Sequence, residues 1–518
     1  MQVPVVASRP PAAIAAPVPD TPRTGGFVAA QPEEFDVIVV GGGPGGSTAA
    51  SLTAKQGARV LLLERETFPR YQIGESLLPS TVHGICNLLG VGEEIAKAGF
   101  MRKHGGTFKW GTSPEPWTFS FAVSPRMAGP TSHAFQVERR RFDQILLENS
   151  RRLGVDVREN CAVTEAVADE ERVRGVHFTQ DGETRTALAR FVVDASGNRG
   201  TLHTAVGGAR EYSPFFQNLA IFGYFEGGRR MPEPNLGNIL CVAFEYGWFW
   251  YIPLSDTLTS VGAVVRREMA HKVQGDQEKA LLDLIADCPL IAEYLQDATR
   301  VRDGDYGQIR VRKDYSYSST AFWRPGLALV GDAACFIDPV FSSGVHLATY
   351  SGLLAARSIN SVLSGTVDEE RAFTEFEKRY RREFGVFHDF LVSFYNLHVD
   401  ETSYFWQARK VTQSSATEME SFIELVGGVA SGEDALAGST DLVRRHAQQT
   451  AELGTAVAGI KPGGTGFLGR SSLVADAMFE GSQIQVGAIL GGASTQEKPL
   501  FDGGLAASPN GLLWTGQE

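Results

Sequence analysis

Three glycines with the spacing of a phosphate-binding loop stand between an apolar run and a segment suited to a helix. Gly41, Gly43 and Gly46 form the pattern G-x-G-x-x-G, with Pro44 inside it. The first glycine permits a tight turn, the second lets the backbone approach a pyrophosphate, and the third allows the helix to pack closely on the strand. Glu64 ends a second apolar run, where its carboxylate is placed to accept hydrogen bonds from ribose hydroxyls. The spacing therefore predicts a dinucleotide site with its phosphates at the helix N-terminus.

The segments around this loop predict an α/β domain with a parallel sheet. Phe35 to Val40 and Arg59 to Leu63 are apolar runs, and Ser47 to Gln56 between them suits a helix, so together they form a β-α-β unit. Leu327 to Val330 is another buried strand, followed by Gly331 and Asp332. We expect it to return to the same sheet, which makes the domain discontinuous in sequence.

An antiparallel sheet is predicted between these two parts of the domain. Residues 160–190 and 218–266 alternate apolar with polar side chains and are dense in valine and aromatics, which favours a substrate-side layer. Seven aromatic residues then recur every three or four positions, as expected for a long amphipathic helix whose aromatic face packs on the body; they are Phe373, Phe376, Tyr380, Phe384, Phe387, Phe390 and Phe394. We therefore divide the chain into a disordered tail (1–33), a nucleotide-binding domain (34–360) with the inserted sheet at about 160–310, and a helical, loop-rich C-terminal region (361–518).

Composition excludes several classes of function. A net charge of −12 argues against a nucleic-acid partner, because binding phosphates requires a concentrated basic face. The five cysteines are scattered without a C-x-x-C pair, which indicates reduced thiols and predicts no metal site. Neither a signal peptide nor a membrane span is evident, so we expect a cytoplasmic protein.

Two later segments resemble those of flavin monooxygenases. Gly331-Asp332-Ala333-Ala334 is similar to the segment whose aspartate holds the ribityl chain of FAD, although Asp332 also suits a helix N-cap. Val137-x-Arg139-x-x-Phe142-Asp143 is similar to the segment whose arginine reaches the pyrophosphate, although residues 139–141 also suit a solvated arginine run. With the glycine loop in the correct order, the resemblance implies FAD and a Rossmann-like domain of the aromatic monooxygenase type.

The sequence Trp248-Phe249-Trp250-Tyr251-Ile252-Pro253 resembles the W-x-W-x-I-P motif of flavin-dependent halogenases. By pattern alone it is an aromatic core strand. The resemblance implies that Trp248, Trp250, Ile252 and Pro253 separate the flavin from the substrate, so that a small diffusible oxidant has to be delivered. It also implies a halide site at Ser343 and Gly344, in a turn that otherwise reads as a plain capped helix start.

The same resemblance implies that Lys103 is catalytic. The family's lysine lies just ahead of a Thr-Phe-x-Trp segment, here Thr107 to Trp110. Its ammonium could hold hypochlorous acid by a hydrogen bond, or its amine could form a transient chloramine. A lone lysine is usually a solvated surface charge. Lys97 and Lys109 are rivals, but Lys109 occupies the variable position of the segment, and the guanidinium of Arg102 is a poor substitute.

The chain resembles phenol-directed halogenases of nonribosomal peptide pathways, of the glycopeptide-antibiotic and chondrochloren type, from Asp36 to about Lys410. The segment from Phe68 to Pro79 carries part of this resemblance, and it implies that Glu75 and Ser76 contribute to cofactor binding. Tryptophan halogenases carry a glutamate where we place Phe341, so a lysine–glutamate pair is not expected here. An activated phenol therefore becomes more plausible than free tryptophan.

The resemblance further implies reduced FAD from a separate flavin reductase, with oxygen and chloride as co-substrates. The expected product is a chlorinated tyrosine, β-hydroxytyrosine or hydroxyphenylglycine ring, carried on a peptidyl carrier protein in antibiotic biosynthesis. Two alternatives stay open: an FAD-dependent aromatic hydroxylase, which would insert oxygen, and a flavin-binding scaffold without turnover.

Overall fold

The computed structural model describes residues 32–110, 115–124, 126–127, 129–200, 202–313, 316–396, 418–437 and 499–516. Nearly all of the predicted N-terminal tail, and most of the glycine-rich C-terminal segment, lie outside these ranges. Among the described helices, none combines the length and apolar character needed to cross a membrane.

Strands and helices alternate in the first part of the chain, strands predominate in the middle, and helices predominate after β21. The strands, in chain order, are β1 Glu33–Val40, β2 Val60–Leu63, β3 Met101–Lys103, β4 Gly105–Lys109, β5 Trp117–Ser120, β6 Ala134–Gln136, β7 Asp156–Arg158, β8 Cys161–Ala168, β9 Val173–Gln180, β10 Glu183–Asp194, β11 Arg210–Tyr212, β12 Asn218–Glu226, β13 Ile239–Phe244, β14 Gly247–Pro253, β15 Leu258–Arg266, β16 Thr299–Arg300, β17 Arg310–Lys313, β18 Tyr317–Ser319, β19 Trp323–Arg324, β20 Leu327–Leu329, β21 Cys335–Phe336, β22 Ala506–Ala507 and β23 Trp514–Thr515. The α-helices are α1 Pro44–Ala54, α2 Cys86–Leu89, α3 Gly92–Lys97, α4 Arg139–Arg152, α5 Gln277–Ala286, α6 Pro289–Tyr294, α7 Ser343–Leu363, α8 Glu369–Asn396, α9 Glu418–Val426 and α10 Asp434–Ala437. Short 3₁₀ or π turns lie at Ser80–Ile85, Phe121–Val123, Leu202–Val206, Arg267–Val273, Gly304–Tyr306, Gly331–Ala333 and Pro339–Phe341.

The nucleotide-binding sheet has the strand order β19-β20-β10-β1-β2-β7. Strands β20, β10, β1, β2 and β7 run parallel, with Val37 opposite Val60 and Val192 opposite Leu327. Because both faces of a parallel sheet are covered, β2 reads as the continuous apolar run Val60–Leu63, all buried. The predicted α/β domain of Rossmann type, to which β20 returns late in the chain, is confirmed.

A second sheet has the order β16-β12-β15-β14-β13-β4-β5, with β17 beside β12. It is antiparallel except where β13 runs parallel to β4. Strand alternation gives it two faces. Trp248 and Trp250 join the core shared with the nucleotide-binding domain, whereas Phe249 and Tyr251 join a separate core that includes residues of α5 and α6.

The predicted bounds of the inserted sheet, about 160–310, are wrong at their start. Strands β8 and β9 form a meander on β10, and β10 pairs in parallel with β1 inside the nucleotide-binding sheet. Alternation in this stretch arises because an antiparallel flap is attached to a parallel sheet, which the pattern alone does not reveal. The second sheet begins at β4 and β5, far upstream of the prediction, and resumes at β12.

The predicted aromatic helix is confirmed as α8, which packs on α7. Phe373, Phe376, Phe387, Phe390 and Phe394 on this helix are all buried. The end of the described chain also packs on α7, where the guanidinium groups of Arg357 and Arg379 lie 4.6 and 4.8 Å from the centroid of the Trp514 ring. Helix α8 and the described residues near Trp514 thus pack on α7.

Candidate functional site

A cavity of about 530 Å³ lies between the nucleotide-binding domain and the second sheet. Its walls come from the glycine loop, the end of β2, the segment that follows Arg70, the Trp face of β14 and the start of α7. Twelve residues singled out from sequence line it: Gly41, Gly43, Pro44, Glu64, Glu75, Ser76, Arg139, Trp248, Trp250, Ile252, Asp332 and Gly344.

Two glycines of the loop, Gly41 and Gly46, leave no room for a side chain. Gly41 has φ +102°, and a Cβ there would lie 2.5 Å from the Ala195 carbonyl oxygen. A Cβ on Gly46 would lie 1.9 Å from the Gly41 oxygen, so Gly46 serves close packing and does not line the cavity. Glu64 accepts a hydrogen bond of 2.7 Å from the Gly42 amide. The loop, its carboxylate and the α1 N-terminus therefore form a pyrophosphate and ribose cradle.

Arg139 is buried beside this cradle with most of its donors engaged. Its guanidinium donates two bonds to Asp143, at 2.7 and 2.9 Å, and two more to the carbonyls of Ile73 and Gly74. Guanidinium has five N–H donors, so one remains for a phosphate. Arg70 also bonds Asp143, at 3.1 Å, and its guanidinium lies 3.4 Å from the point where a Gly43 Cβ would project. Two cations thus flank the space that the glycines leave open.

Asp332 lines the cavity in the turn after β20. Burial raises the pKa of its carboxyl to about 6, while the charges of Arg139 and Arg210 oppose that rise. A carboxylate so placed suits hydrogen bonding to a sugar-like hydroxyl chain. Glycine cradle, paired arginines and this aspartate together fit the pyrophosphate, ribose and ribityl groups of FAD.

Glu75 is a buried carboxyl that faces the cavity. Its Oε1 accepts a bond of 2.7 Å from the Tyr224 hydroxyl, which is itself 2.7 Å from the Tyr71 hydroxyl. Its Oε2 has no hydrogen-bond partner among the described residues. Burial raises the pKa of Glu75 to about 7. This carboxyl can therefore exchange a proton near neutral pH at the cavity wall.

Two indoles close the cavity on the side of the second sheet. Trp248 and Trp250 lie on one face of β14 with ring centroids 6.1 Å apart. The Trp250 indole donates to Ser260 at 3.2 Å, and that of Trp248 donates to Tyr395 at 2.5 Å. Ile252 extends the same face, but Pro253 follows the alternation to the other side and does not line the cavity.

Lys103 lies outside the cavity with its amine removed from water. Its side chain is 3% exposed and does not line the cavity. Nζ donates to the Ser76 hydroxyl at 2.9 Å and to the Leu77 carbonyl at 3.0 Å, and lies 5.7 Å from the Phe121 ring centroid. Burial lowers the pKa of Lys103 to about 7. A substantial share of this amine is therefore neutral, and so nucleophilic, at neutral pH.

The rival basic residues have different surroundings. The side chain of Lys97 is 77% exposed and pairs with Glu93 on the same helix. Arg102 is exposed and Lys109 is half-buried at the end of β4. Lys103 is thus the buried amine of this group, because β3 pairs with β6 and places it opposite Ala134.

The predicted halide turn lies at the start of α7. Ser342 adopts the left-handed conformation with φ +61°, and both Ser342 and Gly344 line the cavity. Ser343 is buried but does not line it. A helix of 21 residues begins here, so its free backbone amides and positive end face a place suited to a small anion.

Sequence reasoning missed Arg70, Tyr224 and Tyr395. Arg70 was inside a segment that we quoted, and its neighbours gave no sign that it reaches Asp143. Tyr224 and Tyr395 bond Glu75 and Trp248 across 149 and 147 residues of chain, so local patterns carry no signal for either contact.

Comparisons with known proteins agree on one family. The family model described as tryptophan halogenase matches residues 36–129 and 123–458. The chain is 37% identical over 417 residues to the tryptophan 2-halogenase of Chondromyces crocatus, covering 78% of this chain and 77% of that protein. It is 50% identical to the structure of the myxobacterial chondrochloren halogenase CndH, with a TM-score of 0.72, covering 93% of this chain and all of that one. The flavin-dependent halogenase CmlS is 28% identical with a TM-score of 0.68, covering 94% of this chain and 84% of its own.

Proposed function

We propose that this chain, which belongs to the tryptophan halogenase family and is a flavin-dependent halogenase, chlorinates a phenolic ring with an oxidant relayed to Lys103. The enzyme uses FAD in its reduced form with oxygen and chloride, and it acts on an aromatic substrate. The single observation that carries the finer proposal is the buried Lys103 amine, outside the cavity yet bonded to a residue that lines it.

The cofactor is held by the residues of the cradle. Gly41, Gly43 and Glu64 would bind the adenosine diphosphate part, Arg139 the pyrophosphate, and Asp332 the ribityl chain. Bound reduced flavin supplies the two electrons that, with oxygen and chloride, yield hypochlorous acid. Ser342 and Gly344 would hold the chloride at the N-terminus of α7, where the partial positive charge of the backbone amides stabilises an anion without a cationic side chain.

The barrier supports delivery through a small oxidant. Trp248 and Trp250 line the cavity and are buried in the main core, which supports a barrier between the flavin and an acceptor ring on the far side of the indoles. Hypochlorous acid is small enough to pass. The Lys103 amine can hold hypochlorous acid by a hydrogen bond, or its neutral form can take the chlorine, so that an N–Cl bond forms as the O–Cl bond breaks and the hydroxyl leaves with an amine proton as water.

The aromatic surroundings support a phenol as acceptor. Phe341 stands where tryptophan halogenases carry a glutamate, and its ring centroid lies 5.7 Å from that of Phe108 and 4.8 Å from that of Phe394. A phenol activates its own ortho carbon and needs less help with proton loss than an indole. Chlorine replaces the ring hydrogen, and that hydrogen leaves with the hydroxyl of hypochlorous acid as water.

Two partners belong to the proposal. Flavin-dependent halogenases generally take reduced flavin from a separate reductase, and we propose the same here. We further propose that the acceptor is a tyrosine, β-hydroxytyrosine or hydroxyphenylglycine ring bound to a peptidyl carrier protein, as the resemblance to halogenases of nonribosomal peptide pathways implies.

Product mass tests the reaction. The full chain receives reduced FAD, oxygen and chloride with a tyrosine analogue, supplied either free or loaded on a carrier protein. A gain of one chlorine on the loaded ring, and little on the free one, is expected. A gain of oxygen, independent of chloride, supports the hydroxylase instead; no change in mass with either acceptor contradicts phenol chlorination.

A further inference from the structure

Ser76 is the residue at which the flavin cavity and the Lys103 amine meet. It lines the cavity, and its Oγ accepts a hydrogen bond of 2.9 Å from Lys103 Nζ. Ser76 donates its own hydroxyl hydrogen to no group among the described residues. A hydroxyl that already accepts one hydrogen bond can still donate its own hydrogen to a second polar molecule.

The backbone holds this serine rigidly. Leu77 donates its amide to the Phe135 carbonyl at 3.0 Å, and Val137 donates to the Glu75 carbonyl at 2.7 Å. Residues 75–77 therefore run as an extra strand beside β6, which pairs with β3 on its other side. Lys103 reaches from β3 across β6 to this strand, so Ser76 and the amine are fixed to one small sheet.

The hydrogen bonds of Lys103 Nζ accommodate its neutral form. A neutral amine has two N–H donors and one lone pair, whereas an ammonium has three donors. Lys103 Nζ has two acceptors among the described residues, the Ser76 hydroxyl and the Leu77 carbonyl. Both N–H bonds of the neutral form are thereby satisfied, while a third N–H of the ammonium would find no oxygen or nitrogen acceptor among the described residues and would have the Phe121 ring centroid 5.7 Å from Nζ.

We propose that Ser76 is the positioning residue that couples the flavin cavity to Lys103, accepting one N–H of the amine while offering its hydroxyl hydrogen to hypochlorous acid leaving the cavity. This inference rests on the proposed relay to Lys103. It assigns to Ser76 a task distinct from cofactor binding, because the side chain that touches the cavity also orients the acceptor of the oxidant.

The first test measures the Lys103 pKa in flavin-free protein. Lysine labelled with ¹³C at Cε is titrated by NMR, with Lys103→Met assigning the signal. Because Ser76 accepts a hydrogen bond from the charged form more strongly than from the neutral form, Ser76→Ala should lower the pKa by about one unit, a ten-fold change in acidity. Ser76→Thr keeps the hydroxyl and should restore the Lys103 pKa. Ser76→Val, in which valine has the shape of threonine without the hydroxyl, should not.

The second test measures coupling in the loaded enzyme. Chlorinated acceptor per oxygen consumed should fall about ten-fold in Ser76→Ala and Ser76→Val, while hypochlorous acid caught by an added trap rises. A pure change in acidity would instead favour chlorination at lower pH, since more amine would be neutral. Ser150→Ala, which removes a buried hydroxyl bonded to Ser51, should leave both readouts unchanged.

The outcomes separate this inference from the relay itself. Unchanged coupling in Ser76→Ala and Ser76→Val, while Lys103→Met is inactive, overturns the role of Ser76 and leaves the relay intact. Unchanged chlorination in Lys103→Met overturns the relay, and the role of Ser76 with it.

Discussion

The indole N–H of Trp248 donates a hydrogen bond of 2.5 Å to the phenol oxygen of Tyr395. Tyr395 in turn donates to Asp338 Oδ1 at 3.0 Å, and this carboxyl also caps the Pro339–Phe341 turn by accepting from the Val340 amide. Helix α8 thereby fixes the orientation of one barrier indole and joins it to the turn that leads to α7. The barrier and the halide turn are held by one hydrogen-bonded chain.

Tyr395→Phe is expected to loosen this chain without opening a cavity. A buried indole N–H and a buried carboxyl each lose a partner, which should lower the free energy of unfolding by about 1–3 kcal/mol. Chlorinated product per oxygen consumed should fall because Trp248 loses its fixed orientation. Denaturant unfolding and a coupling assay measure the two effects, and a variant with normal stability and normal coupling contradicts this role.

The two faces of β14 provide a matched pair of variants. Trp250→Ala removes part of the barrier and Phe249→Ala removes a buried ring from the opposite face, and each should cost about 3–5 kcal/mol of stability. Trapped hypochlorous acid should rise in Trp250→Ala alone. Equal coupling in both variants, compared at a temperature where both are folded, would show that the indole is not a barrier.

Arg139→Ala should weaken FAD binding and destabilise the fold. Asp143 is fully buried and keeps Arg70 alone, so the loss should approach the roughly 3 kcal/mol seen when a buried ion pair is broken. Arg139→Lys should rescue poorly, because an ammonium cannot make the two-pronged bond. Arg140→Ala is the control, since it breaks only a pair with Asp305 in which both partners are more than a third exposed. Fluorescence titration of FAD distinguishes them, and equal affinity in all three excludes a role for Arg139 in FAD binding.

Chlorination should depend on pH through Lys103. Burial places the pKa of its amine at about 7, so the neutral form is lost as the pH falls below that value and activity should fall with it. Cys241 on β13 is the titratable group that faces the amine, and burial raises its pKa well above this range. Glu75 ionises over the same range, so Glu75→Gln is the control. A limb that persists in Glu75→Gln belongs to Lys103, whereas a limb that disappears belongs to Glu75.

Short sequence patterns predicted the helices and strands around the glycine loop. The glycine loop, the strands β1, β2 and β20, and the helices α1, α7 and α8 follow from apolar periodicity and glycine spacing. Alternation in 160–190 misled because it cannot tell an antiparallel flap on a parallel sheet from a separate sheet. Which sheet a strand joins depends on its pairing with distant segments, and the sequence of one segment alone does not show that pairing.

The contacts that define the site are mostly long-range. Ser76 meets Lys103 across 27 residues and Tyr395 meets Trp248 across 147, through elements whose mutual placement depends on the whole fold. Sequence could propose Lys103 by resemblance but could not tell its burial from that of Lys97. Pro253 and Ser343 belong to matched motifs, yet alternation and the helix turn direct them away from the cavity.

The central claim is that an oxidant made in the flavin cavity reaches the acceptor through the Lys103 amine. Lys103→Met keeps the length and apolar stem of the side chain, and Lys97→Met is the exposed control. Each variant, with reduced FAD, oxygen, chloride and a carrier-bound phenol, is assayed for chlorinated ring and for trapped hypochlorous acid.

Lys103→Met should consume oxygen and release hypochlorous acid at the normal rate while chlorination of the ring falls by about 10² or more. Lys97→Met should match the unmodified enzyme. Ring chlorination by Lys103→Met at the unmodified yield would contradict the account.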